Sequence, residues 1–172
     1  MDFFALIQAR RSVRSYQQRP VDGEQLDKIL EAANRAPSAG NLQAYSILVV
    51  RKPQTKAALS KAALHQEALV QAPVVLAFIA RPQVSAVKYS QRGVSLYAVQ
   101  DATIACTYAQ LAAAELGLAS VWIGAFEEEA VKRILKVASE DRPVALLPIG
   151  YPAESPQPTP RRPLIDLTKE AA

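Results

Sequence analysis

Three arginines and two serines stand together near the start of the chain, in the segment 10–15, which reads RRSVRS. An arginine side chain presents a rigid planar fork of donors that fits two phosphate oxygens at once, and a serine hydroxyl adds a short donor. The segment therefore has the composition of a phosphate-binding site. Basic clusters are also commonly a solvated face or a weak footprint for nucleic acid, and composition alone favours that simpler interpretation.

A second basic pair, Arg161-Arg162, lies near the other end of the chain, after a stretch rich in proline. The formal net charge of +4 indicates anionic partners, but the excess is modest and is spread along the sequence. A phosphorylated small molecule fits such a charge as well as a nucleic acid does. If the fold brings the two basic ends together, they could bind one ligand.

Several other chemistries are excluded by counting residues. The one histidine, His65, is expected on an exposed helix surface, and the one cysteine, Cys106, in an apolar run that favours a buried thiol. A histidine-rich metal site and an intrachain disulfide are therefore absent. Neither GxGxxG nor GxxxxGK[ST] occurs, which argues against the standard dinucleotide fold and the P-loop. The scattered acids form no obvious catalytic pair.

Length and composition indicate one globular domain, since the chain has 172 residues, of which 50% are hydrophobic and 21% charged. The first residues lack the basic flank and apolar stretch of a signal peptide. No segment approaches the roughly eighteen uninterrupted apolar residues of a membrane span. We therefore expect a cytoplasmic protein without a membrane partner.

Hydrophobic periodicity and capping residues predict helices alternating irregularly with strands. Asp2 is predicted to cap the first helix, and Asp22 the second, with Gln25 completing a capping box. The segment 81–93 has no clear pattern. We predict helices over 2–11, 22–36, 53–64, 94–116 and 127–137, and strands over 45–50, 74–79, 120–126 and 144–149. The helix over 94–116 is apolar almost all the way round and is predicted to be central and buried, in an α+β sandwich around a single sheet.

A small, polar, glycine-bearing loop, PSAGNLQ over 37–43, leads directly into the predicted strand over 45–50. Loops at the entrance to a core strand are favourable places for ligand contacts. An ordinary connection between a helix and a strand is the alternative interpretation.

Five motifs, in this order, resemble the nitroreductase family of FMN-dependent oxidoreductases: RRSVRSY, PSAGNLQAY, VQDATIACTYAQLAAAELGLASVWIGAF, VALLPIGYPAESP and PRRPL. Each is weak alone, but together they cover nearly the whole chain, and a basic nucleic-acid-binding protein explains none of the loop motifs. The resemblance implies a three-layer α/β/α sandwich with a central, mostly antiparallel sheet and a long central helix. It also implies a single FMN-binding domain over 1–151 and a proline-rich extension over 152–172 that wraps the partner subunit.

The resemblance assigns the residues of the first cluster to the phosphate, ribityl chain and pyrimidine end of FMN: Arg10, Arg11, Ser12 and Arg14. Arg14 is nearest the pyrimidine edge, where a cation would stabilise the negative charge that builds up on reduction. The loop with Pro37, Ser38, Asn41 and Gln43 would reach FMN from the second subunit of a homodimer, with Asn41 offering its amide to the pyrimidine edge.

Two further groups complete the implied site. Ile123 and Gly124 would lie along the flavin ring, where a missing side chain at Gly124 lets a backbone N–H approach N5. A bulge or a strand end is the alternative explanation of that glycine. Leu147, Pro148 and Gly150 would form a second wall, and Arg161 and Arg162 would close on the phosphate. No metal ligand and no catalytic side chain is implied.

The implied activity is ping-pong transfer of hydride from NADH or NADPH through flavin N5 to a small-molecule electron acceptor, a nitroaromatic or a quinone. The flavin carries this chemistry, so the chain needs no acid or base of its own. A reductive dehalogenase, a flavin-cleaving enzyme, and a non-enzymatic flavin- or nucleic-acid-binding protein remain alternatives. The chain is short for the family, and the segment 81–93 leaves little room for the helical insertion that caps the pocket in larger members.

Overall fold

A four-stranded antiparallel sheet forms the centre of the molecule in the computed structural model, which describes residues 2–171, so that Met1 and Ala172 lie outside it. The strands are β1 (Tyr45–Val50), β2 (Val74–Ala80), β3 (Ala119–Ser120) and β4 (Arg142–Gly150), in the spatial order β1-β2-β4-β3. Every neighbouring pair is antiparallel. The predicted strands over 45–50, 74–79 and 144–149 are confirmed, since their β-branched and aliphatic runs suit a buried sheet.

Seven α-helices surround the sheet within the described part of the chain. They are α1 (Phe3–Ala9), α2 (Gly23–Asn34), α3 (Pro53–Ala62), α4 (Ala68–Gln71), α5 (Pro82–Arg92), α6 (Ala98–Glu115) and α7 (Glu128–Leu135). A π-helical turn, Gly93–Tyr97, joins α5 to α6, and 3-10 turns occupy Ala39–Asn41 and Leu164–Asp166. The segment 81–93, which had no clear sequence pattern, is thus mostly helix.

The two faces of β2 show how the layers are arranged, because the whole strand is buried. Its odd-numbered residues pack in one core cluster with Leu59 of α3, Leu69 of α4 and Val131 of α7. Val74, Leu76 and Phe78 pack in another with Ile29 of α2 and Cys106 of α6. Side chains of a strand alternate between faces, so the sheet lies between two helical layers. The predicted α/β/α sandwich is confirmed.

The long helix α6 buries one face rather than its whole circumference. That face is lined mainly by alanines, including Ala102, Ala105 and Ala109, which let the helix approach the sheet closely, while Tyr108 is 39% exposed. The prediction of a long helix is confirmed, but its start lies at Ala98 because the π-helical turn replaces the first residues of the predicted span.

Three local predictions need correction. The strand expected over 120–126 is regular only at Ala119–Ser120, and Ile123 adds a single bridge to Leu146. Asp22 caps α2 by accepting from Glu24 N at 2.8 Å, but the Gln25 amide lies against other elements and completes no capping box. His65 is exposed as expected, but it lies in a turn after α3 with a left-handed backbone.

No helix within residues 2–171 is both long and apolar enough to cross a membrane. Over the same residues, no group of three or more histidine, cysteine, aspartate or glutamate side chains is placed to hold a metal ion.

Candidate functional site

The end of α1 sets the position of the first basic cluster. Asp2 caps the start of this helix by accepting from Ala5 N at 3.0 Å. At the other end, the Arg11 guanidinium donates to the carbonyl oxygens of Gln8 and Arg10, the latter at 3.0 Å. A cation at a helix C-terminus satisfies carbonyls that have no partner within the helix. Arg11 therefore has a structural role here in addition to its charge.

Backbone hydrogen bonds hold the residues after α1 in an extended conformation. Val13 N donates to Ser120 O at 3.2 Å, and Gln17 N donates to Tyr151 O at 2.9 Å. The Glu154 carboxylate accepts from the backbone N–H groups of Arg14 at 2.5 Å and Ser15 at 3.2 Å. The basic segment is thus fixed between the edge of the sheet and the first residues of the C-terminal tail.

Buried side chains anchor the same segment from below. Val13 and Tyr16 are 5% and 4% exposed. The Tyr16 hydroxyl donates to Val13 O at 2.7 Å and lies 3.2 Å from Pro148 O. Burial raises the pKa of Tyr16, so its hydroxyl stays protonated as a donor. This anchoring leaves the polar side chains of the segment on the surface.

The two basic ends of the sequence meet in one open cleft of about 790 Å³. Its walls come from the end of α1, the segment 10–14 and the tail residues 156–161. The polar residues that line it include Gln8, Arg10, Arg11, Ser12, Arg14, Thr159 and Arg161. Five of the predicted site residues are therefore brought together by contacts between distant parts of the chain.

The cleft is strongly positive, since four arginines and no acid are among the described residues that line it. Arg10 is half-buried, and its pKa is lowered first by burial and then by the neighbouring charges of Arg161 and Arg11. Within the described residues, the four arginines that line the cleft form no salt bridge. Arg161 donates only to Thr159 Oγ1, at 3.0 Å. An anion in the cleft would relieve the repulsion among these cations and satisfy their donors.

Arg162 lies outside the cleft. Its guanidinium donates to Asp166 O at 3.2 Å and closes the 3-10 turn of the tail. The structure therefore separates the roles of the two adjacent arginines.

The loop over 37–43 also lies outside this cleft. Ser38 Oγ accepts from Gln43 N at 3.0 Å, and Gln43 Nε2 donates to Asn34 Oδ1 at 2.9 Å. Pro37 and Asn41 are exposed. Asn41 and Gln43 both have positive φ, an uncommon conformation that the local hydrogen bonds stabilise. The loop is therefore an ordered surface segment that lies apart from the cleft.

A residue that the sequence analysis missed holds this loop in place. Asp101 of α6 is 2% exposed, and its carboxylate accepts from Ala39 N at 2.9 Å and from Ala44 N at 3.3 Å. Such charge-assisted bonds stabilise more than neutral ones. The signal was a single acid within the apolar run VQDATIAC, where an unpaired buried charge would be costly.

The residues that the resemblance assigns to the flavin ring differ in burial. Leu147 and Ile123 are 0% and 2% exposed, and their side chains pack in different core clusters. At Gly150, a Cβ atom would lie 2.7 Å from Pro73 Cδ, so close internal packing explains this glycine. Gly124 is exposed and lines a second cleft of about 340 Å³.

The sequence is similar to a family model and to proteins from other organisms. The model of the nitroreductase family matches residues 7–67 and 60–151. A "NADH dehydrogenase" of Thermus thermophilus is 37% identical over an alignment of 182 residues, which covers 90% of this chain and 89% of the relative. An "FMN reductase [NAD(P)H]" of Bacillus subtilis is 35% identical over 167 residues, covering 89% and 67% of the two chains.

Solved structures show the same architecture. A nitroreductase family protein from Clostridium novyi has 30% identity and a TM-score of 0.83, covering 92% of this chain and 89% of its own. The NADPH:FMN oxidoreductase from Vibrio harveyi, solved in complex with NAD+, has 26% identity and a TM-score of 0.90, covering 97% and 76% of the two chains.

Proposed function

Because the chain belongs to the nitroreductase family, we propose that it is an NAD(P)H-dependent flavin oxidoreductase that binds the FMN phosphate in the cleft between residues 10–14 and Arg161. The observation that carries the proposal is the half-buried Arg10, which stands beside two further arginines and has no acidic partner within residues 2–171. Relatives named for FMN and NAD(P)H support the choice of cofactor.

The donors of the cleft fit a phosphate monoester, which carries nearly two negative charges at neutral pH. Guanidinium forks at Arg10 and Arg161 and the hydroxyl of Ser12 line the same space. The volume of about 790 Å³ falls within the range of small-molecule sites. Phosphate and the adjoining ribityl hydroxyls could therefore be bound together.

The arginines divide the work of binding. Arg10 is the best-placed phosphate ligand, because burial strengthens its interaction with an anion. Arg11 holds the helix end and adds charge. Arg14 is exposed, and its guanidinium makes only a long contact of 3.4 Å to Ser12 O. Arg14 is therefore free to turn toward the pyrimidine edge of a bound flavin.

When bound, FMN would accept a hydride from NADH or NADPH at N5 and would pass two electrons to a nitroaromatic or quinone acceptor that binds in the same place. The chain contributes position and electrostatics to this chemistry. Gly124, exposed beside the sheet, can offer a backbone N–H to the ring, whereas Leu147 and Gly150 support that region only from within the core.

The site is proposed to be completed by a second copy of the chain. The loop over 37–43 does not line the cleft of its own chain. We therefore assign Pro37, Ser38, Asn41 and Gln43 to the site of a partner subunit in a homodimer. Two exposed apolar groups support this assembly, Phe3 and Phe4 on α1 and the group Leu164, Ile165 and Leu167 on the tail, each 57% exposed or more. Such groups mark interaction surfaces.

Initial rates test the mechanism directly. NAD(P)H oxidation is measured while reductant and acceptor concentrations are both varied, with a nitroaromatic and with a quinone. A ping-pong exchange predicts parallel lines in double-reciprocal plots. Intersecting lines, or no oxidation with either class of acceptor, would contradict the proposal.

A further inference from the structure

Two cations and two tyrosines form a compact surface cluster where α5 passes into α6. The members of this cation–aromatic cluster are Lys88, Tyr89, Arg92 and Tyr97. The two rings are perpendicular, with centroids 5.0 Å apart. Lys88 Nζ lies 5.5 Å from the Tyr89 ring, and the Arg92 guanidinium lies 5.3 Å from the Tyr97 ring. Arg92 Nε also donates to the Tyr97 hydroxyl at 2.9 Å.

The backbone of this segment is shaped to bring the four side chains together. Ser90 interrupts α5 with φ 48° and ψ −134°, which a residue other than glycine rarely adopts. At Gly93, an added Cβ would lie 2.5 Å from the Ser85 carbonyl oxygen, so only glycine allows the π-helical turn to fold this close to α5. The cluster therefore rests on a specific, tightly packed backbone path.

The cluster lies against the loop over 37–43. A Cβ at Gly40 would come within 2.6 Å of the Tyr89 hydroxyl and 2.9 Å of Lys88 Nζ. In the proposed function this loop reaches the flavin of the partner subunit. The cluster then stands at the edge of the place where the electron acceptor binds.

The charges of the cluster are exposed and unbalanced. Lys88 and Arg92 are exposed, and neither forms a salt bridge within the described chain. Tyr89 and Tyr97 are half-buried, and each has a cation over its ring. Rings of this kind pack against flat conjugated molecules, and the cations attract a negative substituent.

We propose that the cation–aromatic cluster recognises the carboxylate, or a similar short anionic substituent, of an aromatic electron acceptor, so that the enzyme prefers anionic over neutral acceptors. This inference rests on the proposed function and names the substrate class of the same site. An aromatic ring with its charge on a short substituent matches cations that lie about one ring width from the tyrosines.

The test compares two acceptors of similar size, 4-nitrobenzoate and 4-nitrobenzamide, with the FMN-loaded enzyme. For Lys88→Gln and Arg92→Gln, the ratio of kcat/KM for the anion to that for the neutral amide is expected to fall about fivefold to tenfold, the loss of one charge-assisted hydrogen bond at a solvated site. Arg92→Lys keeps the charge and should restore most of the ratio. Lys28→Gln, an equal charge change on the exposed face of α2, should leave the ratio unchanged.

Binding of 4-nitrobenzoate to the oxidised holoenzyme, measured by calorimetry, gives a readout that does not depend on turnover, and the two glutamine variants should weaken it. An unchanged ratio and unchanged binding would overturn the inference. The inference would also be overturned if the variants changed the preference for NADPH over NADH while the ratio of kcat/KM for the two acceptors stayed constant. The cations would then bind a phosphate of the reductant. A wild-type protein that binds no FMN, or that reduces neither 4-nitrobenzoate nor 4-nitrobenzamide nor a quinone, would instead refute the proposed function itself.

Discussion

Arg10 and Arg161 line the same cleft although they stand near opposite ends of the sequence, and the charge of Arg161 helps to lower the pKa of Arg10. Two cations held together at a partly buried place are unfavourable until an anion joins them. The backbone hydrogen bonds between residues 15–17 and 151–153, together with the bonds from Arg14 N and Ser15 N to the Glu154 carboxylate, maintain this pairing. The fold thus keeps these two cations together in a single chain.

Replacing Arg10 by alanine should weaken FMN binding by about 1.5 to 3 kcal/mol, the range for a hydrogen bond to a charged group. Riboflavin, which lacks the phosphate, should bind almost equally well to both proteins. Fluorescence titration with the two flavins measures the difference, and Arg133→Ala on the exposed face of α7 is the matched control. Equal losses for FMN and riboflavin would show that Arg10 supports the fold instead.

Arg161 and Arg162 should differ despite being neighbours. Arg161→Ala is expected to weaken FMN binding about threefold to tenfold, since its exposed charge is partly screened by solvent. Arg162→Ala should leave the affinity unchanged, because its guanidinium is directed to Asp166 O. The same fluorescence titration measures both affinities. A larger loss of FMN affinity for Arg162→Ala than for Arg161→Ala would refute the assignment of Arg161 to the phosphate.

Truncation tests the proposed role of the proline-rich tail. Ending the chain at Tyr151 should weaken the dimer and FMN binding together, because it removes Arg161, the apolar group Leu164, Ile165 and Leu167, and the Glu154 contacts to the basic segment.

A chain ended at Ser155 keeps the Glu154 contacts and should bind FMN better than the shorter one, by about tenfold, while its dimer is equally weakened. Sedimentation velocity and flavin occupancy are the measurements. If the chain ended at Tyr151 remains a dimer with full occupancy, the tail is dispensable.

Asp101→Ala should destabilise the fold by about 2 kcal/mol, since Ala39 N and Ala44 N lose their acceptor. Asp101→Asn keeps one oxygen acceptor, so its free energy of unfolding should lie between those of the alanine variant and the wild type. Urea unfolding measures both values. A change below about 0.5 kcal/mol for the alanine variant would mean that water replaces the carboxylate at no cost.

The sequence allowed the elements with strong local patterns to be predicted, and elements that depend on distant contacts were harder. The run Val74–Ala80 is apolar throughout and became the fully buried strand β2 as expected. The equally apolar stretch over 120–126 pairs with β4 only at Ser120 and Ile123, because its neighbours in space, and not its propensity, decide the pairing.

The candidate site shows the same division. The arginine and serine cluster was visible from residue types alone. That Arg11 donates to carbonyls at the end of α1, and Arg162 to Asp166 O in the tail, depends on local geometry that the sequence does not reveal. Asp101 was missed because its acceptor role requires the loop over 37–43 to lie across α6, a contact that no short pattern reveals.

Flavin binding by the purified full-length protein tests the central claim most directly. The protein is incubated with FMN or with riboflavin, freed of unbound ligand, and examined by visible absorbance and by titration. The account predicts a yellow protein with one FMN per chain and clearly weaker binding of riboflavin, because the cleft of Arg10 and Arg161 binds the phosphate. A protein that stays colourless with FMN, or that binds riboflavin equally well, would contradict it.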